Sequence, residues 1–526
     1  MTKVLKAGAV WLAIAVVVWL ITIWRWQSSG YDASTADIVG QLFILPVALT
    51  AALLLALWGS QRIREQAAKP VAPALAKSAH PSAMAGLASG EAGQDAAAQA
   101  DEALRQASAW VLAQALTLSV GRDASSALSA LKSRTARPEL DPFLQDFDGM
   151  PIFTARMPEL DMSDWLDAHA ELPRAGEPEL SEPVLRALAL IEPPLLEVLS
   201  LMAELVPPTA QASRFGTATG VVEQGAPARA AHLSGVAEQV PRAVALTREA
   251  LAPHLTIRLL LPAQWPPGER EQAIQWIKGQ CGGLLDWAQA AQAKGIRWLT
   301  EPLEQPEQVW VEVDQHIVAW SRQARPELLL LLAVDTAVNE AQVERMQGVG
   351  ELFTSSHQTG KVPGEGAAAL LMANDKWPDL TTLENPPVRL WRPAHTRRDK
   401  SADAAGRVGT TALSAAMKHA ASLNQAQPDT LLLLADADHR ASRTGELFEA
   451  LQEVAPGVDP MLAVIRVGEA CGELGLARAL VPTALACAAL REPEVAGQVA
   501  LVAHVQSSHE RVVLALSPWV PEPATA

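Results

Sequence analysis

The stretch GELFTSSHQTGKVPGEGAAALLMA, residues 350–373, sets a polar loop and a Pro-Gly turn directly in front of an unbroken run of small and apolar residues. Three readings compete: a phosphate-cradling loop, a catalytic turn, or a purely structural one. A phosphate loop is disfavoured, because the turn lacks the Lys-Ser/Thr pair and does not lead from a strand into a helix. Pro363, Gly364, Glu365 and Gly366 read instead as a structural turn. The glycines allow a sharp bend, and the alanines that follow let a strand lie against a tightly packed helix. His357 and Lys361 in the preceding loop read as exposed polar residues.

Working outward, ELLLLLAVD (327–335) is an interior strand, since five consecutive leucines need apolar cover on both faces. Strand-length apolar runs alternate with helical patterns along the rest of the chain, the signature of an α/β architecture. Residues 109–120, 151–157 and 255–262 read as strands. Residues 185–205 read as a helix interrupted at Pro193 and Pro194, residues 270–293 as a long helix, and 316–323 as a short one. A second passage repeats this grammar. Helices are expected over 408–423, 444–453 and 474–489, with strands at 430–436, 461–467, 498–505 and 511–518. A soft boundary falls in the polar segment 375–405, dividing 103–380 from 381–526.

The N-terminal end is of another kind. Residues 8–24 carry no charge and are just long enough to cross a hydrocarbon core, and a second apolar segment runs from 38 to 59. Together they predict a transmembrane hairpin within 1–64, contacting the lipid bilayer through residues 8–59. Lys3 and Lys6 precede the first span, and Arg62, Arg64 and Lys69 follow the second. Positive residues mark the cytoplasmic side, so both termini and the soluble part are expected in the cytoplasm of a bacterium, at its inner membrane. Residues 65–102, dominated by Ala with Lys, Pro, Gly and Ser, read as a flexible tether. The formal charge of -16 excludes a basic nucleic-acid face. Three cysteines, Cys281, Cys471 and Cys487, show neither CxxC spacing nor a disulfide framework. No cofactor and no metal are expected.

Set in order, LLLLLAVDT (328–336), VERMQGVGELFTS (343–355) and the turn at Val362 to Ala367 resemble the β-ketoacyl synthase branch of the thiolase-like superfamily. LTIRLLLPAQWPPG (255–268), ADADHRASRTGELFEAL (435–451) and GEACGELGLARALVPTALACAAL (468–490) resemble further pieces of that fold. The resemblance covers about residues 103–520 and implies two pseudo-duplicated α/β halves. It also implies a cysteine nucleophile at a helix N-terminus, where the dipole lowers the thiol pKa, with two supporting residues, usually histidines.

Each implied position is occupied by something else. The nucleophile is expected at the start of the helix before the 327–335 strand, near Val313, and there Asp314 and Gln315 stand, a carboxylate reading as a helix cap. The first histidine position falls on Asp436, leaving His439 three residues on. The second falls on Gly472, or on Cys471 one residue earlier, and the lysine before it is at best Arg466. Cys471 lies between Glu469 and Glu473, whose like charge disfavours a thiolate. Two substitute acid–base pairs are conceivable, His316 with Asp314 and His439 with Asp436 and Asp438. As a metal site the latter trio is spaced too tightly.

The expectation is therefore a pseudoenzyme and homodimer held at the membrane, with protein partners. The whole resembles the accessory, membrane-attached thiolase-like proteins of type VI secretion systems, which implies sheath or baseplate components as partners and a scaffolding role. The alternative is a membrane-associated acyl condensing or acyl-transfer enzyme, or a partner of a β-ketoacyl synthase comparable to a chain-length factor.

Overall fold

All ten residues of β6 (Glu327–Thr336) and all nine of β7 (Glu365–Ala373) are buried. These two antiparallel strands form the middle of the first half of the molecule. The structure, a computed structural model, describes residues 102–158, 160–170, 172, 180–205, 254–282, 296–377, 383, 385–424, 431–492 and 498–519. The expected membrane hairpin and nearly all of the tether lie outside the described residues. Among the described residues no helix is long and apolar enough to cross a membrane.

The first half comprises, in chain order, β1 (Ser108–Leu118), helix α1 (Ala124–Ser133), the hairpin β2 (Glu139–Gln145) and β3 (Pro151–Thr154), and helices α2 (Met162–Ala168) and α3 (Glu182–Leu205). There follow β4 (His254–Leu260), α4 (Pro267–Cys281), β5 (Ile296–Leu299), α5 (Gln308–Trp320), β6, α6 (Glu340–Gly348) and β7. The second half holds β8 (Val388–Trp391), β9 (Ala394–Arg397), α7 (Thr411–Leu423), β10 (Leu431–Ala435), α8 (Ala441–Val454), α9 (Pro460–Ala463), β11 (Val464–Arg466), α10 (Val467–Cys471), a 3-10 turn at Gly475–Ala479, α11 (Val481–Arg491), β12 (Val499–His504) and β13 (Glu510–Pro518).

The main sheet runs β11-β10-β12-β13-β8-β1-β7-β6-β4-β5, with β9 on the edge of β13. Numbering the main-sheet strands within each half by chain order gives the same spatial sequence twice, third-second-fourth-fifth-first. In both halves the fifth strand, β7 or β13, is antiparallel to its neighbours, and the second to fourth are parallel. The halves meet through their first strands, β1 and β8. The duplication expected from the repeated sequence grammar is thus present as a topological one.

The layers follow from which face each strand buries. One core takes alternate side chains from strands of both halves and packs them on α1, α5 and α11, so these helices are sandwiched between the two halves. The outer face of the first half packs on α3 and α4, and that of the second on α7 and α8. A bulge between Val111 and Ala113 switches the parity of β1, so Val111 and Leu116 both reach the shared core while Ala113 and Ala115 face outward.

Some boundaries differ from the expectation. Helix α3 continues through Pro193 and Pro194 without interruption. Leu188, Ile191, Leu195, Val198, Leu199 and Met202 are sealed against the sheet along its length, and burial of about 2 kcal/mol per such side chain outweighs the roughly 3 kcal/mol cost of an interior proline. Residues 461–467 are a short helix followed by only three strand residues. The helix before β6 spans 308–320 instead of 316–323.

The turn quoted first is a keystone. Glu365 is fully buried, and its carboxylate accepts from Arg186 of α3 through Nε at 2.6 Å and Nη2 at 2.5 Å, from Thr336 Oγ1 at 3.0 Å and from the Met157 amide at 2.7 Å. Gly364 presses on the second half: a Cβ there would lie 2.1 Å from the Cys471 carbonyl oxygen. Gly472, at φ +65°, returns the contact, since its Cβ would meet the Val362 oxygen at 2.7 Å. The Glu473 amide donates to that same oxygen at 2.8 Å. Breaking a buried pair leaves an uncompensated charge. Arg186→Leu is therefore expected to cost about 3–5 kcal/mol in urea unfolding, with much of the loss recovered when Glu365→Leu is added.

Candidate functional site

Helix α5 is the third-to-fourth crossover of the first half and α11 that of the second, so their N-termini approach each other at the seam. At the first, the residue before the helix is Glu307, 4% exposed, with no side-chain capping bond of its own. Its first turn is tightened by amide bonds to Gln305, Pro306 and Glu307 carbonyls, and a carboxylate there is favoured by the helix dipole. At the second, Arg478 stands in the 3-10 turn that leads into α11.

Arg478 organises the centre. Its Nη2 lies 2.9 Å from Glu307 Oε1, its Nη1 3.5 Å from Asp436 Oδ2 and its Nε 3.8 Å from Glu473 Oε1. Encirclement by Glu307, Glu473 and Asp436 holds the guanidinium firmly charged despite burial. Asp436, just beyond β10, accepts from the Val505 amide at 2.7 Å and faces His504 Nδ1 at 3.7 Å. Burial would raise its pKa, but His504, Arg478 and the Val505 amide lower it on balance. Trp310 of α5 is sealed beneath, its ring nitrogen donating to the Ala479 carbonyl at 3.1 Å. One cation thus meets three carboxylates in a sheltered setting.

Glu307, Glu473 and Arg478 of this cluster line a cleft of about 1250 Å³, along with Arg345, Lys361, Arg407 and Arg440 and the carboxylates of Asp335, Glu351 and Asp403. Apolar residues, among them Ala263, Leu303, Pro306, Val408 and Leu476, are interspersed with these charges. Asp335, next to last in β6, accepts from the Leu476 amide at 3.0 Å and the Thr336 amide at 2.9 Å. Burial, reinforced by Glu473, pushes its pKa to about 6 against those two bonds and Arg345.

The positions expected to frame a site are only partly brought together. Asp436 reaches the cluster, and Cys471 and Gly472 form the backbone wall beside Glu473. Asp314 does not cap the helix. It lies well inside α5, where Arg392 grips it bidentately at 2.7 and 2.9 Å, and Gln315 is exposed. The helix begins earlier than the apolar pattern alone suggested, so its start presents Glu307. No His316–Asp314 pair forms: Asp314 is engaged by Arg392, and His316 packs at a tilt against Trp320, ring centroids 5.8 Å apart. His439 packs edge-on to Phe353 at 5.1 Å while Asp438 binds Arg440 at 2.7 Å. Lys361 is half-buried, not simply exposed, and sits 3.3 Å from Glu351 and 3.8 Å from Glu473. Among the described residues no group of acidic, His or Cys side chains is placed to hold a metal.

All three thiols are buried, and burial pushes each pKa to about 12. For Cys471 the cause is this burial, eased by Ser119, and not the like charge of its acidic neighbours, since Glu469 is paired with Arg466 and Arg137. A thiolate is not available at such values near neutral pH.

Glu307 and Arg478 were not singled out in the sequence, and Glu473 was read only as a charge beside Cys471. A signal existed: Arg478 is the only charge between Glu473 and Arg491, and an arginine in so apolar a run needs buried partners.

Solved structures of similar architecture include the ishigamide ketosynthase/chain length factor, with 13% identity over 78% of this chain and 100% of that one and a TM-score of 0.47. A beta-ketoacyl synthase from Burkholderia phymatum gives 10% identity, 79% and 100% coverage and a TM-score of 0.46. The ketosynthase from module 1 of the bacillaene synthase of Bacillus amyloliquefaciens gives 11%, 80%, 75% and 0.43. Likeness at this level carries nothing about activity. No family profile and no curated protein matches the chain.

Asp335 supplies a pH signature. Its folded pKa is raised, so the folded state holds a proton that the unfolded chain releases near pH 4. Its contribution is present below pH 4 and lost as pH rises through about 6. Asp335→Asn is therefore expected to flatten the pH dependence: across pH 4–7 the wild type should lose on the order of 3 kcal/mol relative to the variant in denaturant titrations.

Proposed function

We propose that this chain is a non-catalytic thiolase-like body that acts by pairing with another protein, in the manner of a chain-length factor beside a synthase. The observation that supports this most is the filling of the seam. Where the first crossover helix begins, a condensing enzyme needs an accessible thiol, and this chain has Glu307 in a buried ion pair with Arg478. A guanidinium encircled by three carboxylates has no lone pair to offer as a base, and its partners are engaged in holding it.

The cleft argues in the same direction. An acyl chain is accommodated by an apolar cavity, whereas this one is walled by charges of both signs. That speaks against the condensing or acyl-transfer form of the alternative reading and leaves its partner form. Among the described residues β5 ends the sheet, with Ile296, Trp298 and Leu299 only half covered, an edge that a second body could extend.

The finer reading, a membrane-held scaffold of a type VI secretion system, rests on the hairpin and tether of residues 1–102. Those residues lie outside the described ones except for the last. Inner-membrane attachment belongs to the same proposal and places the pairing partner at the bilayer, where anchoring raises its effective concentration.

The test is direct. Cys281→Ser, Cys471→Ser and Cys487→Ser together are expected to leave biological function intact, and mass spectrometry after incubation with acyl thioesters should find no acylated residue. Native mass spectrometry of the detergent-solubilised full chain should find a heterodimer with a cysteine-bearing synthase. An acyl-cysteine would overturn the non-catalytic reading, and a homodimer alone would overturn the synthase-partner one.

A further inference from the structure

The hairpin β2–β3 exposes an unusual amount of apolar surface. Phe143 is 73% exposed, Phe147 65% and Met150 60%, and Leu140 with Phe153 directly opposite it across the ladder are also open to water. Three of the chain's seven phenylalanines fall within these eleven residues. Single exposed apolar residues need no explanation, but several on one short element mark an interaction surface.

The exposure is built in. Leu144 and Ile152 anchor the hairpin to Val338, Val343, Met346 and Leu352 beneath it. The buried Asp141 carboxylate accepts from the Phe143 and Leu144 amides, from Thr154 Oγ1 and from Arg156, which bends β2 between its ladder contacts and turns Phe143 outward. At the tip, Asp146 accepts from the Asp148 and Met150 amides at 3.0 and 2.9 Å. Gln347 of α6 receives the Phe147 amide at 2.8 Å, bringing the tip to the helix end where Val349 is 62% exposed.

Charge says what fits. From Glu139 to Ala155 there is no lysine or arginine; of the four carboxylates, Asp141 is buried and paired with Arg156, whose guanidinium lies 5.5 Å over the Phe143 ring, which leaves Glu139, Asp146 and Asp148 as the acidic surface. We propose that this hairpin docks a protein segment with an apolar face flanked by lysine and arginine, such as a basic amphipathic helix. A second copy would set carboxylates against carboxylates. An anionic lipid surface would be repelled likewise, and the hairpin lacks the Trp, Tyr, Lys and Arg that seat a finger in a bilayer interface.

The experiment places a photo-crosslinking benzoylphenylalanine at Phe147 in the full chain, made in the cells that naturally produce it. The expected adduct joins a protein segment of net positive charge. Its yield should fall at least tenfold with Glu139→Lys and Asp148→Lys, which leave the Asp146 turn bonds intact, and with 0.5 M salt at about the ionic strength where surface attraction is screened. An adduct to this chain itself, to lipid or to an acidic segment would overturn the proposal, as would no adduct or a yield indifferent to the charge reversals. Circular dichroism of each variant confirms that the fold is retained.

Discussion

The Glu365 carboxylate, shut away from water and given four hydrogen bonds, is the constraint from which the rest of the first half takes its position. It ties the start of β7 to α3 on the outer layer, to the end of β6 and to the strand segment after β3. A buried charge is tolerated only when so completely matched, and the matching fixes register as well as energy. With β7 pinned, Gly364 comes against the Cys471–Glu473 backbone, and the first half is seated on the second by contacts too close for any side chain.

That seating brings the two crossover helices end to end. In a body of this topology their N-termini are the natural place for chemistry, because unpaired amides and dipoles converge there. Here buried ion pairs fill that convergence. Glu307 occupies the first helix start, Arg478 precedes the second, and Asp436 and Glu473 complete the charge cluster. The contacts proposed with other proteins are assigned instead to a sheet edge and to the apolar hairpin.

Much of this was legible in the sequence because it depended on runs of buried residues. Five consecutive leucines in β6, the alanines of β7 and the small residues of α11 each admit only an interior position, and they yield the strand and helix order directly. The duplication was visible as repeated grammar. What failed to show was set by tertiary competition: α3 carries two prolines because its apolar stripe is long, and α5 starts early because Glu307 finds a buried cation in the other half. The site was misread at Asp314 for the same reason. A search for missing cysteine and histidine looks for what is absent, while the residue that organises the seam, Arg478, announces itself only as a lone charge in an apolar run.

The central claim is that the charges at the seam hold the two halves together. A double-mutant cycle of Glu307→Gln and Arg478→Gln, read by denaturant unfolding, measures that coupling most directly. The account predicts a coupling of about 2 kcal/mol or more, each single change leaving a buried charge unmatched. Additivity to within about 0.5 kcal/mol would contradict it.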